Sequence, residues 1–160
     1  MLSCLSAMAS PAANFSLRDL NNQQVSLSEH HDEVVLVTFW ATWCTSCLGE
    51  MDALNTMHAE LGREDFTILA ISLDEARDRS KIRPLVVSRG WDFPILWDQG
   101  GRVSNIYNPT GGVPYTVVID AQGEIVLTRQ GLTEGVVEEI RTTVVGLLSV
   151  TAESPPAAEE

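Results

Sequence analysis

The feature that most constrains the fold is a pair of cysteines, Cys44 and Cys47, that follows the apolar run at residues 34–39. A β-branched and aromatic run of this length predicts a buried strand, and the residues after the pair show helical spacing. The pair therefore lies where a strand ends and a helix begins. Unpaired N–H groups and the helix dipole favour an anion there, so we expect Cys44 to be pushed toward the thiolate, the form that attacks disulfides. Cys47, one helical turn later, can reach Cys44 and close a small disulfide.

Length and charge limit the classes of protein to consider. The 160 residues suit one domain, and no stretch is long and apolar enough to span a bilayer. The net charge of -12 argues against nucleic acid and anionic membrane surfaces as partners. We expect a disordered leader or export-signal remnant at residues 1–13, a folded domain at residues 14–149 and a disordered acidic tail at residues 150–160. Cys4 in the leader is a candidate for lipidation.

The order of predicted elements indicates the fold class. The predicted order begins with an N-terminal β-hairpin, followed by a strand, a helix and a second strand. A helix, a short edge strand and a short helix come next. An antiparallel hairpin and a last helix close the domain. This order predicts an α/β sandwich with a mixed central sheet. The predicted ranges are 14–20 and 25–27 for the first hairpin, 34–40, 44–61, 66–72, 77–89, 93–97 and 102–107 for the middle elements, and 115–119, 124–128 and 133–148 for the last three. Pro84 is expected to bend or split the helix at residues 77–89.

Two chemical interpretations of the cysteine pair are open at this stage. A C-x-x-C beside a strand–helix–strand pattern is typical of a redox pair, whereas two cysteines can also form half of a zinc site. A structural zinc site normally needs four ligands, and the remaining cysteine is Cys4. The three histidines show no ligand spacing. We therefore expect redox chemistry, with no cofactor and no metal.

A second motif, Gly112-Val113-Pro114, directly precedes the strand at residues 115–119. Together with the tryptophan-flanked cysteine pair, it makes the chain resemble the thioredoxin fold. Within that fold the chain is similar to the TlpA/ResA-type disulfide reductases of the bacterial cell envelope, a redoxin (AhpC/TSA-like) domain. Glu50-Met51 and the stretches 93–96 and 117–126 also match. The resemblance covers about residues 15–148 and implies a three-layer α/β/α sandwich.

The resemblance implies a role for each matching residue. Cys44 corresponds to the exposed nucleophile and Cys47 to the buried resolving thiol. Pro114 corresponds to a cis-proline that faces the disulfide, and Val113 supplies backbone groups that hold an extended substrate strand. Trp43 shields one side of the site.

The proton acceptor is less clearly defined. Thr38 stands where thioredoxin has a buried aspartate that helps proton transfer, so another acceptor is needed, with Glu75 or water as candidates. Glu75 matches an acidic position that lies beneath the disulfide in some of these reductases. A helix-capping role for Asp74 or Glu75 is an equal alternative. The residues between the cysteines differ from the family's usual pattern, so the reduction potential cannot be transferred.

The resemblance implies a protein thiol–disulfide oxidoreductase that reduces protein disulfides in the periplasm or cell envelope, with membrane tethering as an option. The implied partners are a protein disulfide substrate, often apocytochrome c or a copper protein, and a membrane thiol donor. We expect a monomer. The alternatives are a disulfide oxidase with the same residues, a thiol peroxidase of related fold, and a non-enzymatic copper- or zinc-binding chaperone. The peroxidase is disfavoured because its Pro-x-x-x-Thr-x-x-Cys context is missing here.

Overall fold

The computed structural model describes residues 9–62 and 65–153. Residues 1–8, with Cys4, and residues 154–160 lie outside the described residues, and so do the predictions made for them. The strands are β1 (Ser10–Pro11), β2 (Ser16–Asp19), β3 (Gln24–Ser26), β4 (Val34–Trp40), β5 (Phe66–Ser72), β6 (Ile95–Trp97), β7 (Tyr115–Ile119) and β8 (Glu124–Gln130). The α-helices are α1 (Thr45–Leu61), α2 (Arg79–Arg89), α3 (Arg102–Tyr107) and α4 (Val136–Glu153), and a 3-10 turn spans Leu27–Glu29.

The eight strands form one mixed sheet in the order β1-β8-β7-β4-β5-β6-β2-β3. All seven residues of β4 are buried because helices cover both faces of the sheet at its centre. Leu36 and Trp40 enter a core shared with α1, α2 and α4, whereas Val37 and Phe39 pack on the other face with residues of α3. The predicted three-layer α/β/α sandwich with a mixed sheet and an N-terminal hairpin is confirmed.

The folded region extends past both of its predicted ends. Ser10 and Pro11 form β1, which pairs antiparallel with β8 opposite Ile125 and Glu124. At the other end, α4 continues to Glu153 rather than ending near residue 148. The boundary at residue 14 was placed too late because a two-residue strand carries no periodic signal. Only its pairing with the edge of β8 defines it.

Two further local predictions need correction. β6 is an internal strand, since β2 pairs with its outer side through Arg18 opposite Trp97. A short run beside a proline looks like an edge strand when its long-range partner is unknown. α2 is a single helix with Pro84 inside it, so of the two predicted effects of Pro84 the splitting of the helix is wrong. Pro84 is exposed, so water can replace the hydrogen bond that the proline removes.

The carboxyl ends of β4, β5 and β6 meet at one edge of the sheet. Trp40, Ser72 and Trp97 are neighbours across these three parallel strands. The junction between β4 and α1 carries the cysteine pair, and the loop after β5 carries Asp74. Three chain segments distant in sequence are thereby brought to the same end of the domain.

Candidate active site

Cys44 and Cys47 lie at the junction between β4 and α1. Cys44 is the N-cap residue of α1, with φ of -94° and ψ of 101°. The two residues form a disulfide, and their Cα atoms are 5.2 Å apart. The backbone N–H of Cys47 donates to Cys44 Sγ at 3.2 Å. The first turn of α1 therefore supplies a donor to the sulfur that carries negative charge once the disulfide is reduced.

The two cysteines differ in accessibility. Cys44 is 7% exposed and Cys47 is completely buried, so an incoming sulfur can approach only Cys44. Cys44 is therefore less exposed than the nucleophile that the resemblance implies. Trp43, by contrast, is 68% exposed and presents a large apolar surface beside the pair.

The loop before β7 faces Cys44. Cys44 Sγ lies 3.8 Å from the carbonyl oxygen of Val113, and the peptide bond between Val113 and Pro114 is cis. Asn108 anchors the loop by donating from Nδ2 to the carbonyl oxygen of Gly112 at 2.8 Å. Cys44 and the Val113–Pro114 loop are thus brought together, and Trp43 is the residue directly before Cys44.

Glu50 is a buried carboxyl on the inner face of α1, one turn after Cys47, and is 2% exposed. Thr116 donates a hydrogen bond to Glu50 Oε1, and Thr38 Oγ1 lies 3.4 Å from the same oxygen. Burial raises the pKa of Glu50 above its ordinary value, and the hydrogen bonds from Thr116 and Thr38 oppose this rise. Its surroundings therefore favour the protonated form more than water does, which suits a group that gives and takes a proton.

Asp74 is a second buried carboxylate, also 2% exposed, in the loop after β5. The backbone N–H of Thr42 donates to both of its oxygens, at 3.0 and 3.2 Å. The hydroxyl of Thr42 donates to Oδ1 at 2.5 Å and that of Ser72 to Oδ2 at 2.8 Å. Asp74 therefore holds the turn that leads from β4 to Cys44.

Glu75 does not lie in this buried region, contrary to the expectation that it sits beneath the disulfide. Its side chain is 71% exposed and forms an ion pair with Arg77. The chain turns after β5 so that Asp74 points inward and its neighbour points to solvent. The buried acid is supplied instead by α1, at Glu50.

Both buried carboxylates were missed as site residues, although one of them carries a sequence signal. Position 50 adjoins the inner-face positions Cys47, Met51 and Leu54 of the predicted helix. An acidic residue on a buried helical face is uncommon and points to a special role. Asp74 has no such signal, because it follows the strand in a loop whose path only the folded chain defines.

A disulfide at a strand–helix junction, opposite a cis-proline loop and one helical turn before a buried carboxyl, has the groups that thiol–disulfide exchange needs. On a three-layer sandwich it defines the class of thioredoxin-fold thiol–disulfide oxidoreductases, which are enzymes. The chain belongs to the AhpC/TSA family, whose model matches residues 8–128.

Individual relatives agree with this class. The thiol-disulfide oxidoreductase ResA of Geobacillus kaustophilus is 33% identical over 119 residues, which cover 74% of this chain and 67% of that protein. ResA of Halalkalibacterium halodurans is 33% identical over 129 residues, covering 80% and 72%. The crystal structure of a thiol:disulfide interchange protein of the thioredoxin family from Chlorobium tepidum superposes with a TM-score of 0.76 at 21% identity. That match covers 89% of this chain and 98% of the other and supports the fold.

Two further properties of the described residues concern the requirements for a membrane span and for a metal site. No helix within residues 9–62 and 65–153 is long and apolar enough to cross a membrane. In the same ranges, no three metal-ligating side chains of histidine, cysteine, aspartate or glutamate form a cluster.

Proposed function

We propose that this protein reduces protein disulfides in the bacterial cell envelope, with Cys44 as nucleophile, Cys47 as resolving thiol and Glu50 as the proton acceptor for Cys47. The direction and the compartment rest on the similarity to the ResA-type oxidoreductases. The observation that carries the residue roles is the burial of Cys47 and Glu50 one turn apart on the same face of α1.

The first step is attack by the Cys44 thiolate on one sulfur of a substrate disulfide. A bond forms between Cys44 Sγ and that sulfur, the substrate disulfide breaks, and the other substrate sulfur leaves as a thiolate that water protonates. Val113 and Pro114 line the approach to Cys44, and Trp43 offers the exposed apolar surface next to it. We assign these three residues to substrate binding.

The second step needs a base, because Cys47 is completely buried and burial disfavours a charged thiolate. Glu50 accepts the Cys47 proton, directly or through one water molecule, and the Cys47 thiolate attacks Cys44 Sγ. The mixed disulfide breaks, the substrate leaves with both of its sulfurs reduced, and the Cys44–Cys47 disulfide forms. Two electrons from a membrane thiol donor then restore the dithiol, so that protein substrates such as apocytochrome c can be reduced repeatedly.

The chemistry is tested by trapping. In a Cys4→Ser background, which leaves only the active-site pair, reduced Cys47→Ser protein should accumulate a covalent complex with an oxidised protein substrate. Matched Cys44→Ser protein should accumulate none. If neither variant, or both equally, traps the substrate, the assigned roles of the two cysteines are wrong.

The direction is tested by the equilibrium reduction potential of the pair, measured by alkylation and mass analysis in thiol/disulfide buffers. A value of about -270 mV or lower supports a reductase, whereas a value near about -120 mV indicates a disulfide donor. Failure to form the disulfide in any buffer would overturn the oxidoreductase function and favour metal binding by the pair.

A further inference from the structure

The positive side chains of this acidic protein are unevenly distributed. The sequence holds ten lysines and arginines against 22 acids. Among the described residues, five of these cations form ion pairs with carboxylates: Arg77, Lys81, Arg89, Arg129 and Arg141. Four arginines have no carboxylate within ion-pair distance in the same ranges: Arg18, Arg79, Arg83 and Arg102. All four are exposed.

These four arginines line two adjoining concave surfaces that share Arg79. We call the combined surface the arginine groove. Arg18 comes from β2, Arg79 and Arg83 lie one turn apart on α2, and Arg102 begins α3. Four cations from three elements therefore converge on one groove, in a chain that carries 22 acids against ten lysines and arginines.

Neutral groups hold three of the four guanidinium groups in place without cancelling their charge. Arg18 Nη1 donates to the carbonyl oxygen of Asn22 at 2.8 Å, and Arg83 Nη2 donates to Asn21 Oδ1 at 3.1 Å. The guanidinium of Arg79 lies 4.6 Å from the ring centroid of Trp97, a cation–π contact. The cations are thus oriented and remain available to an anion.

One acid, Asp98, also lines the groove. It is buried, and its Oδ2 accepts a hydrogen bond from the backbone N–H of Ser104 at 2.8 Å. Its carboxylate is therefore turned inward and engaged by the backbone. The accessible charge of the groove is positive.

The groove lies at the same edge of the sheet as the cysteine pair. Trp97, which lines it, is two strands across from Trp40, the last residue before the active-site loop. Strand spacing places these residues about 10 Å apart. The indole Nε1 of Trp97 donates to the carbonyl oxygen of Asp74 at 2.8 Å, and Asp74 in turn holds Thr42. An extended peptide covers about 10 Å in about three residues and about 20 Å in about six, which allows for the further reach from Trp40 to Cys44 and from Trp97 to the arginines.

We propose that the arginine groove binds an acidic segment of the protein substrate, located about three to six residues from the cysteine that Cys44 attacks. This inference rests on the proposed function, because it assumes a polypeptide disulfide at Cys44. The groove is open and its cations are spread along it, so it suits several carboxylates in a row. Such a patch guides a substrate of opposite charge and fixes its register at the disulfide.

Two synthetic peptides test this proposal. Both contain the same cystine loop, followed after three residues by either four Asp/Glu residues or four Asn/Gln residues. In single-turnover reactions, the reduced protein should react with the acidic peptide with a second-order rate constant about tenfold higher at low salt, mainly through tighter binding. The difference should shrink toward zero at 0.5 M NaCl, because screening then acts within a few ångströms. A general charge effect predicts the opposite preference, since the protein carries a net charge of -12.

Matched variants locate the effect. Arg79→Gln/Arg83→Gln/Arg102→Gln should lower the second-order rate constant for the acidic peptide to the value for the neutral one and leave the neutral peptide unaffected. Arg77→Gln/Arg89→Gln/Arg141→Gln removes the same number of charges outside the groove and should keep the preference. Urea unfolding curves establish that both triple variants are folded.

The outcomes separate the groove from the chemistry. Equal rates for the two peptides would overturn the proposal that the groove binds an acidic segment, and so would an equal loss of the acidic-peptide preference in both triple variants. Either result would leave the oxidoreductase function intact. If neither peptide is reduced, the proposed function fails. In that case the groove is tested separately by titrating a cysteine-free acidic peptide and monitoring the NMR signal of the Trp97 indole N–H. A saturable shift supports peptide binding in the groove, and no shift rejects it.

Discussion

Glu50 and Asp74 are both almost fully buried, and both lie close to the loop that carries Cys44, yet their surroundings differ. Glu50 lies on α1 facing the strands β4 and β7, and its hydrogen-bond partners within residues 9–62 and 65–153 are the hydroxyl groups of Thr38 and Thr116. Asp74 receives a backbone N–H and two hydroxyl groups. The first carboxyl is largely surrounded by apolar groups, whereas the second is saturated with donors.

This difference separates a chemical role from a structural one. A buried carboxyl with few donors has a raised pKa, because nothing compensates fully for the lost hydration of its charged form. A carboxylate with several donors fixes the groups that donate to it, and removing it leaves them unsatisfied. We therefore expect changes at Glu50 to affect proton transfer and changes at Asp74 to affect stability and loop geometry.

The largest effect is expected from Glu50→Gln. Loss of the base should slow the attack of Cys47 on the mixed disulfide about 10- to 100-fold near neutral pH. The defect should shrink as the pH rises past the ordinary thiol pKa of about 8.5, because hydroxide from solvent then competes with Glu50 for the Cys47 proton. Single-turnover kinetics separate this step from the first attack by Cys44, which should keep its rate. A defect that is independent of pH would contradict the role of Glu50.

Asp74→Asn should mainly reduce stability. The amide cannot accept from all the donors around it, so we expect the free energy of unfolding in urea to fall by about 1 to 3 kcal/mol. Glu75→Gln is the matched control. It also removes one carboxylate, but at the neighbouring position, where the side chain is exposed. That control should change stability by less than about 0.5 kcal/mol. Similar losses of unfolding free energy in the two variants would contradict the structural role assigned to Asp74.

The raised pKa of Glu50 also predicts the sign of a pH dependence. The native state holds the Glu50 proton more tightly than the unfolded state, so its contribution to stability is complete below the ordinary pKa of 4.5. That contribution declines as the pH rises through the raised pKa, by at most about 1.4 kcal/mol per pH unit. The stability of the unaltered protein minus that of Glu50→Gln should therefore fall with rising pH. A stability difference that grows with rising pH would contradict a raised pKa of Glu50 in the native state.

The smallest effect is expected from removing single hydroxyl groups. Thr116→Val removes a donor to Glu50 and should move the pH profile of the Cys47 step to higher pH, because that hydrogen bond lowers the pKa of Glu50. Thr42→Val removes a donor to Asp74 and serves as the control. Both should cost about 1 kcal/mol in urea unfolding, but only Thr116→Val should shift the profile.

Much of the fold and the central chemistry could be predicted from local patterns. The run of β4, the helical spacing of α1 and the hairpin of β7 and β8 each carry their own periodicity, so their order predicted the layers correctly. The motifs at Cys44–Cys47 and at Val113–Pro114 likewise carry their chemistry in short stretches. Their close approach across 69 residues is a tertiary fact that the resemblance implied.

The sequence by itself determined which residues form the redox pair, because the position of a C-x-x-C at a strand–helix junction follows from local spacing. Only the tertiary structure decided which acids are buried: Asp74 rather than its neighbour Glu75 in one loop, and Glu50 between two threonines from separate strands. The internal position of β6 and the convergence of four arginines on one groove depend on the same kind of long-range pairing. Burial and pKa are set by atoms that are distant in the chain, and no local pattern records those atoms.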